Sequence, residues 1–352
     1  MINKNWEIGF LLPNLKVNEN FETEFISIVK LEDMRIKKMI DENIDLRKIL
    51  HGFVNEHNKK ISPSVLIYDS EAPRQYLNYE CFVSFRNLIA ISVIFKNWAN
   101  LNPYNVLGPM FSDSFDFYPM KIEIDGSTSM DTPAILSIRT KNSEFIGTSF
   151  PGVPIFNFST NCDSEIYNAL IKAWHQKYCE PGEKEKNINT LFRSVEVAFH
   201  ALSMPIKNQT SINDIGISIS LWISAFEILA HPINGDVKVK HVKELLNLYS
   251  HYSDELKTNN LLNKLYVKLY DSRNDFLHGN DIPKGILKLF CNKENNHHNY
   301  INNVAPVLYR IALYSRLEQL KFLEPKINGL NINNIINNQY NYFLQKLLTN
   351  EI

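Results

Sequence analysis

Tyr270-Asp271-Ser272-Arg273-Asn274-Asp275-Phe276-Leu277-His278-Gly279-Asn280 ends a stretch, residues 259–278, that holds neither proline nor glycine. Along it Leu262, Leu265, Leu269 and Phe276 recur near one face, the period of an amphipathic helix. Gly279 supplies a residue that readily adopts the left-handed conformation past a helix end, which predicts His278 at the C-terminus. The same period extends outward on both sides. Residues 188–202 place Leu191, Val195, Ala198 and Leu202 at helical spacing before Pro205, and residues 215–230 align Ile215, Ile219, Trp222, Phe226 and Leu229. A shorter amphipathic segment covers 237–249, and 304–322 carries Val307, Leu308, Ile311, Leu313, Tyr314 and Leu317. Helices of 13 to 20 residues with short connections predict a bundle. Residues 327–348, where Ile, Tyr, Phe and Leu are scattered among Asn, are expected to add a helix at a dimer interface.

Upstream the pattern changes. Trp6 to Leu12 and Phe25 to Val29 read as short strands, and residues 120–126 alternate with period two before a turn. Residues 134–139 and 143–149 are expected to continue that sheet. Residues 79–98, rich in apolar side chains, and 164–178 predict helices. The fold class is therefore α+β: a mixed α/β domain over residues 1–180, then an all-α helical domain over 188–352. The expected boundary is Cys179-Glu180-Pro181-Gly182-Glu183-Lys184-Glu185-Lys186-Asn187, where two breakers precede a charge run.

The chain has 352 residues, 44% hydrophobic, enough for two globular cores. Its 37 Lys+Arg nearly balance 38 Asp+Glu, which excludes a polybasic protein that coats nucleic acid. The balance is uneven: residues 1–187 hold 20 basic and 24 acidic groups, whereas 188–352 hold 17 and 14 with seven of the ten His. Four Cys without a CxxC pair suit a reduced, cytoplasmic setting. The N-terminus lacks the apolar core of a secretory signal, and the apolar run Leu88–Phe95 is too short for a bilayer, so no membrane role is expected. No nucleophile elbow, Walker loop or dinucleotide fingerprint occurs.

Arg273 and His278 are suited to cleaving a phosphodiester without metal. An imidazole moves a proton to or from the 2′-OH or the leaving oxygen, a guanidinium holds the phosphoryl charge, and Asn274 orients either. On a helix Asn274 and His278 share a face, whereas Arg273 lies about 140° from His278. Spacing alone is weak, since roughly 0.8 chance matches to Arg-x(4–6)-His are expected in such a chain. Arg193 and His200 make a second match, read as structural. His297 and His298 lie in an Asn-rich loop with no carboxylate or Cys partner, so no metal site and no cofactor are expected. Trp222 and Phe226 read as core. Lys238, Lys240, His241 and Lys243 form either a solvated face or a weak RNA-binding patch.

Context sharpens the motif. Ser220-Leu221-Trp222-Ile223-Ser224-Ala225-Phe226-Glu227-Ile228-Leu229-Ala230, followed about 45 residues later by Tyr270 to Gly279 and then by the amphipathic 304–322, resembles the HEPN superfamily, in particular ApeA-like HEPN domains of bacterial defence proteins. The resemblance covers roughly residues 190–322. It implies a helical bundle that dimerises to bring two Arg-x4-His motifs into one cleft. It also implies a metal-independent endoribonuclease in a toxin or antiviral defence role, acting by 2′-OH attack. Arg273, His278 and Asn274 then take the catalytic positions, with Glu227 and Asp275 supporting. Glu227 either holds the Arg273 rotamer or is a structural ion pair of the core. The partners implied are an RNA substrate, a second copy of the chain, and a protein or phage-derived trigger at residues 1–180. The alternative is a non-catalytic HEPN module that binds or scaffolds a larger complex.

Overall fold

In the computed structural model the described residues are 5–17, 19–55, 57–99, 112–122, 128–130, 138–140, 147–148, 156–157, 162–179, 185–204, 211–232, 235–249, 257, 260–280, 288–292, 297–300, 304–324 and 335–348. The fold is α+β, in two compact units: Met1–Arg86 with Asp113–Asn161, and Asn87–Ser112 with Cys162–Ile352.

The first unit is built on a sheet whose neighbouring strands all run antiparallel. It contains β1 (Trp6–Leu12), β3 (Phe21–Glu22), β4 (Ile26–Val29), β6 (Ser64–Asp69), β7 (Tyr118–Ile122), β8 (Thr128–Met130) and β9 (Ile138–Thr140), in the order β3-β4-β6-β1-β7-β8-β9. Two small parallel pairs join β10 (Gly147–Thr148) to β5 (Phe53–Val54) and β11 (Phe156–Asn157) to β2 (Leu15–Lys16). The register of β1 slips at Gly9, where a Cβ would lie 2.7 Å from the Leu66 side chain. That slip puts Ile8 and Leu11 in one core with Val65 and Ile67 of the neighbouring strand. Helices α1 (Met34–Glu42) and α2 (Ile44–Leu50) cover it with Ile36, Ile40, Leu46, Ile49 and Leu50. Phe10 stacks on Phe117 at 4.1 Å and meets the edge of Phe82 at 6.5 Å. Asp33 caps α1 by accepting the Arg35 N–H at 2.9 Å.

The second unit is mainly helical: the later part of α3 (Tyr79–Ala99), α4 (Ser164–Cys179), α5 (Glu185–Ala201), α6 (Ile212–Leu229), α7 (Val239–Asn247), α8 (Leu261–Leu277), α9 (Ala305–Gln319) and α10 (Ile335–Leu348). It is not all-α, because β12 (Lys288–Asn292) pairs with β13 (His297–Tyr300). Every residue of α9 from Ala305 to Ser315 is buried. Its Arg310 is fully buried and organises its surroundings. The guanidinium donates to Asp163 Oδ2 at 3.0 and 3.1 Å, to the Tyr249 hydroxyl at 3.0 Å and to Asn337 Oδ1. Tyr340 lies under it at 4.8 Å and donates its hydroxyl to the Phe95 carbonyl at 2.7 Å. Asp163 in turn donates its N–H to the Ser92 carbonyl. These bonds tie the later part of α3 and the start of α4 to the C-terminal helices. The expected boundary at 179–187 therefore falls inside this unit, and the division falls within α3 instead. Of the described helices, α6 is long and apolar enough to cross a membrane, and half of it is buried in the unit as befits a core helix.

Candidate functional site

Helix α8 forms where the sequence predicts. Leu261, Leu262, Leu265, Tyr266, Leu269 and Ser272 are buried along one face. Its C-terminus is a Schellman motif. Gly279 has φ +69° and donates its N–H to the Phe276 carbonyl at 3.2 Å, while the Asn280 N–H reaches the Asp275 carbonyl at 3.0 Å. A side-chain bond from Asn280 Nδ2 to Asp275 Oδ1 at 3.1 Å adds a second clasp. His278 is the C-cap residue, with φ −85° and ψ 1°, and it is exposed. The end of α8 is pinned to the start of α6 where Phe276 packs flat against Gly216, whose missing side chain makes the approach possible. Ser211 caps that end of α6 by accepting the Asp214 N–H at 3.1 Å.

Arg273 lies on a different side of α8 and is half-buried. Its Nη1 donates to Asn274 Oδ1 at 3.0 Å, and the guanidinium carbon lies 5.9 Å from the Tyr270 ring centre. The buried Nε finds no acceptor among the described residues. Glu227 of α6 is near enough for Arg273 to draw its carboxyl pKa down, but burial wins and holds that carboxyl above the usual value. Among the described residues the two make no ion pair within 4 Å, so neither a rotamer-holding contact nor a core salt bridge is formed between them. The Tyr266 hydroxyl, raised by burial and by Glu227, is a second buried polar atom without a partner among the described residues. Around Glu227 the chain thus buries one orphan guanidinium N–H, on Arg273, and one orphan hydroxyl, on Tyr266.

Of the remaining sequence candidates, those whose side chains are described are not brought together with this group. Trp222 and Phe226 are fully buried, packed with Tyr309 and Tyr266 at ring separations of 5.3 to 5.5 Å, and present no stacking face. Arg193 and His200 are exposed on α5. His297 and His298 sit on β13, a strand where a loop was expected, and their side chains lie outside the described residues. Among the described residues no group of three His, Cys, Asp or Glu side chains could hold a metal. Lys238 and Lys240 are exposed. The Lys238 N–H donates to His241 Nδ1 at 3.1 Å, half of a capping box, since an ammonium has no lone pair to complete the other half.

Lys243 differs from both. It lines a groove of about 530 Å³ on the second unit, together with Asp275, expected as a supporting residue, and with residues at and along α8 that sequence reasoning missed: Asn260, Asn263, Lys264, Val267, Lys268, Asp271 and Ser272. The signal was present as Lys264, Lys268 and Asp271 at steps of four and three, opposite the leucine face. Comparison of the chain with protein-family models, curated proteins and solved structures finds no match in any of the three.

Proposed function

We propose that this protein is a metal-independent endoribonuclease of the HEPN type, cleaving RNA by 2′-OH attack at a site assembled from two copies of the chain. The observation that carries the reading is the end of α8. An exposed His278 stands on a glycine-fixed helix terminus, and a half-buried Arg273 with an unused N–H lies one turn earlier. An imidazole open to solvent is placed to exchange a proton, and a guanidinium with a donor to spare is placed to take a phosphate oxygen. The roughly 140° between the two side chains keeps one chain from closing both on one phosphate. Two apposed helix ends supply the missing half, in keeping with the resemblance of residues 190–322 to HEPN domains. A role in toxin or antiviral defence follows the same resemblance, with the first unit sensing a trigger or positioning the RNA.

The test uses the purified full chain with single-stranded RNA in EDTA. Cleavage leaving a 2′,3′-cyclic phosphate and a 5′-OH is expected, and Arg273→Ala or His278→Ala should abolish it. Full activity in both variants refutes the assignment. A second reading rests on Ile217 and Leu277, which are 42% and 55% exposed at the same end of α6 and α8. Apolar side chains beside His278 suit a protein-binding face, the surface of a non-catalytic module in a larger defence complex. On that reading His278→Ala alters assembly and no chemical step.

A further inference from the structure

The groove between α7 and α8 has a charge pattern with no internal use among the described residues. Lys264 and Lys268 are one turn apart on α8, a like-charge spacing that destabilises an isolated helix, and Lys243 faces them from α7. Among the described residues none of the three makes an ion pair, although Asp271 lies three residues beyond Lys268. Burial lowers the Lys268 pKa with no carboxylate to offset it. Asn263 is 8% exposed, and its amide N–H groups are spent on Asn247 Oδ1 at 3.0 Å and Asn260 Oδ1 at 2.6 Å. The ammonium groups are therefore the main donors lining the groove. Among the described residues no aromatic ring lines it, so these offer no platform on which a base could stack. Clustered ammonium groups of this kind are the usual partners of phosphate oxygens.

We infer that this groove is a backbone-binding subsite in which Lys243, Lys264 and Lys268 hold the phosphodiesters of a single RNA strand on its way to His278. The inference rests on the endoribonuclease reading for the identity of the strand. The helix supplies the direction. His278 is seven residues beyond Asp271 and eleven beyond Val267, so it projects from the groove face of α8, about 15 Å along the axis from Lys268. Arg273 projects from nearly the opposite face. Asp271 and Asp275 lie between the lysines and His278 and repel phosphate, so the strand is gripped at the Lys264–Lys268 end and crosses this acidic stretch ungripped before a phosphodiester reaches His278.

Binding of a fluorescein-labelled, fully 2′-O-methylated RNA twelve-mer, which lacks the attacking hydroxyl, is measured by anisotropy across a salt series with the full chain. Wild type should bind, and Lys264→Gln with Lys268→Gln should weaken binding at least tenfold. The same double variant should flatten the slope of log affinity against log salt by about 1.4, two single-strand phosphate contacts at about 0.7 each. Lys243→Gln should lower the slope by about half as much. Undiminished affinity and slope in the double variant, or no binding by wild type, overturns the inference. If the lysine variants lose binding while His278→Ala and Arg273→Ala still cleave unmethylated RNA, the groove stands and the assignment of the catalytic pair falls.

Discussion

Gly216→Ala tests the contact that positions the motif. A Cβ built at Gly216 falls 2.2, 2.4 and 2.5 Å from Cδ2, Cγ and Cε2 of the Phe276 ring. Carbon atoms pack best at about 3.5–4.0 Å, so ring and helix must part by at least about 1 Å. A phenyl ring has no flexible end to swing aside. Replacing glycine inside a helix by alanine alone stabilises by about 0.5–1 kcal/mol, whereas overpacking costs about 1–3 kcal/mol. With contacts as short as 2.2 Å on a rigid ring the upper part of that range, about 2–3 kcal/mol, applies, and the net expectation is a loss of about 1–2.5 kcal/mol. Urea unfolding followed by tryptophan emission reads it, since Trp174 and Trp222 are fully buried in the second unit. The decisive comparison is a double-mutant cycle with Phe276→Ala. With the ring gone, Gly216→Ala should become stabilising by the helix-propensity amount, giving a coupling of at least about 1.5 kcal/mol. Should Gly216→Ala be neutral or stabilising with Phe276 still present, the close approach of α6 to α8 is wrong, and with it the placement of His278.

Three further perturbations probe the surroundings. Arg310→Met strands the fully buried Asp163 carboxylate and should cost about 3–5 kcal/mol, part of it recovered by adding Asp163→Asn; a loss under about 1 kcal/mol in urea unfolding contradicts the hub. A Cβ at Gly279 would meet nothing within 4 Å among the described residues, so Gly279→Ala should cost only the strain of φ +69°, about 1 kcal/mol, and Gly279→Asn less; equal stability of all three speaks against the Schellman end. Glu227 has a folded pKa above its ordinary 4.5, so wild type loses stability as pH rises from that value through the folded one, when the buried carboxylate must ionise. Glu227→Gln should flatten this part of the stability–pH curve above pH 4.5, and an unchanged slope argues against a desolvated carboxyl there.

The helices of the second unit were legible because each buries one stripe: Trp222, Phe226 and Leu229 in α6, Leu262, Leu265 and Leu269 in α8. The strand β6 was not legible, although it is central to the sheet. Its residues Ser64 to Ile67 are buried on both faces, so the period-two signal is absent. The boundary was misplaced for a different reason. Pro181 and Gly182 punctuate the chain locally, whereas Arg310 and Asp163, which decide which helices cohere, are 147 residues apart. The Arg273–His278 spacing and the Gly279 cap could be read in one dimension. The absence of an ion pair between Glu227 and Arg273, and a groove needing both α7 and α8, could not, since each depends on the packing of separate helices.

Within the proposed chemistry, the two halves of the motif stand in unequal states. His278 needs no rearrangement to meet a substrate, since it is exposed on a fixed helix end. Arg273 is held by Asn274 and Tyr270 on another face, with its Nε lacking an acceptor among the described residues. An unsatisfied buried donor costs about 1–3 kcal/mol, more than the roughly 0.5–1.5 kcal/mol that one hydrogen bond such as Arg273–Asn274 contributes net. Turning the guanidinium toward a phosphate therefore relieves the larger cost while giving up the smaller gain. An anionic ligand arriving with a second copy of the chain would draw Arg273 outward, so activity should rise more steeply than linearly with protein concentration until the dimer saturates.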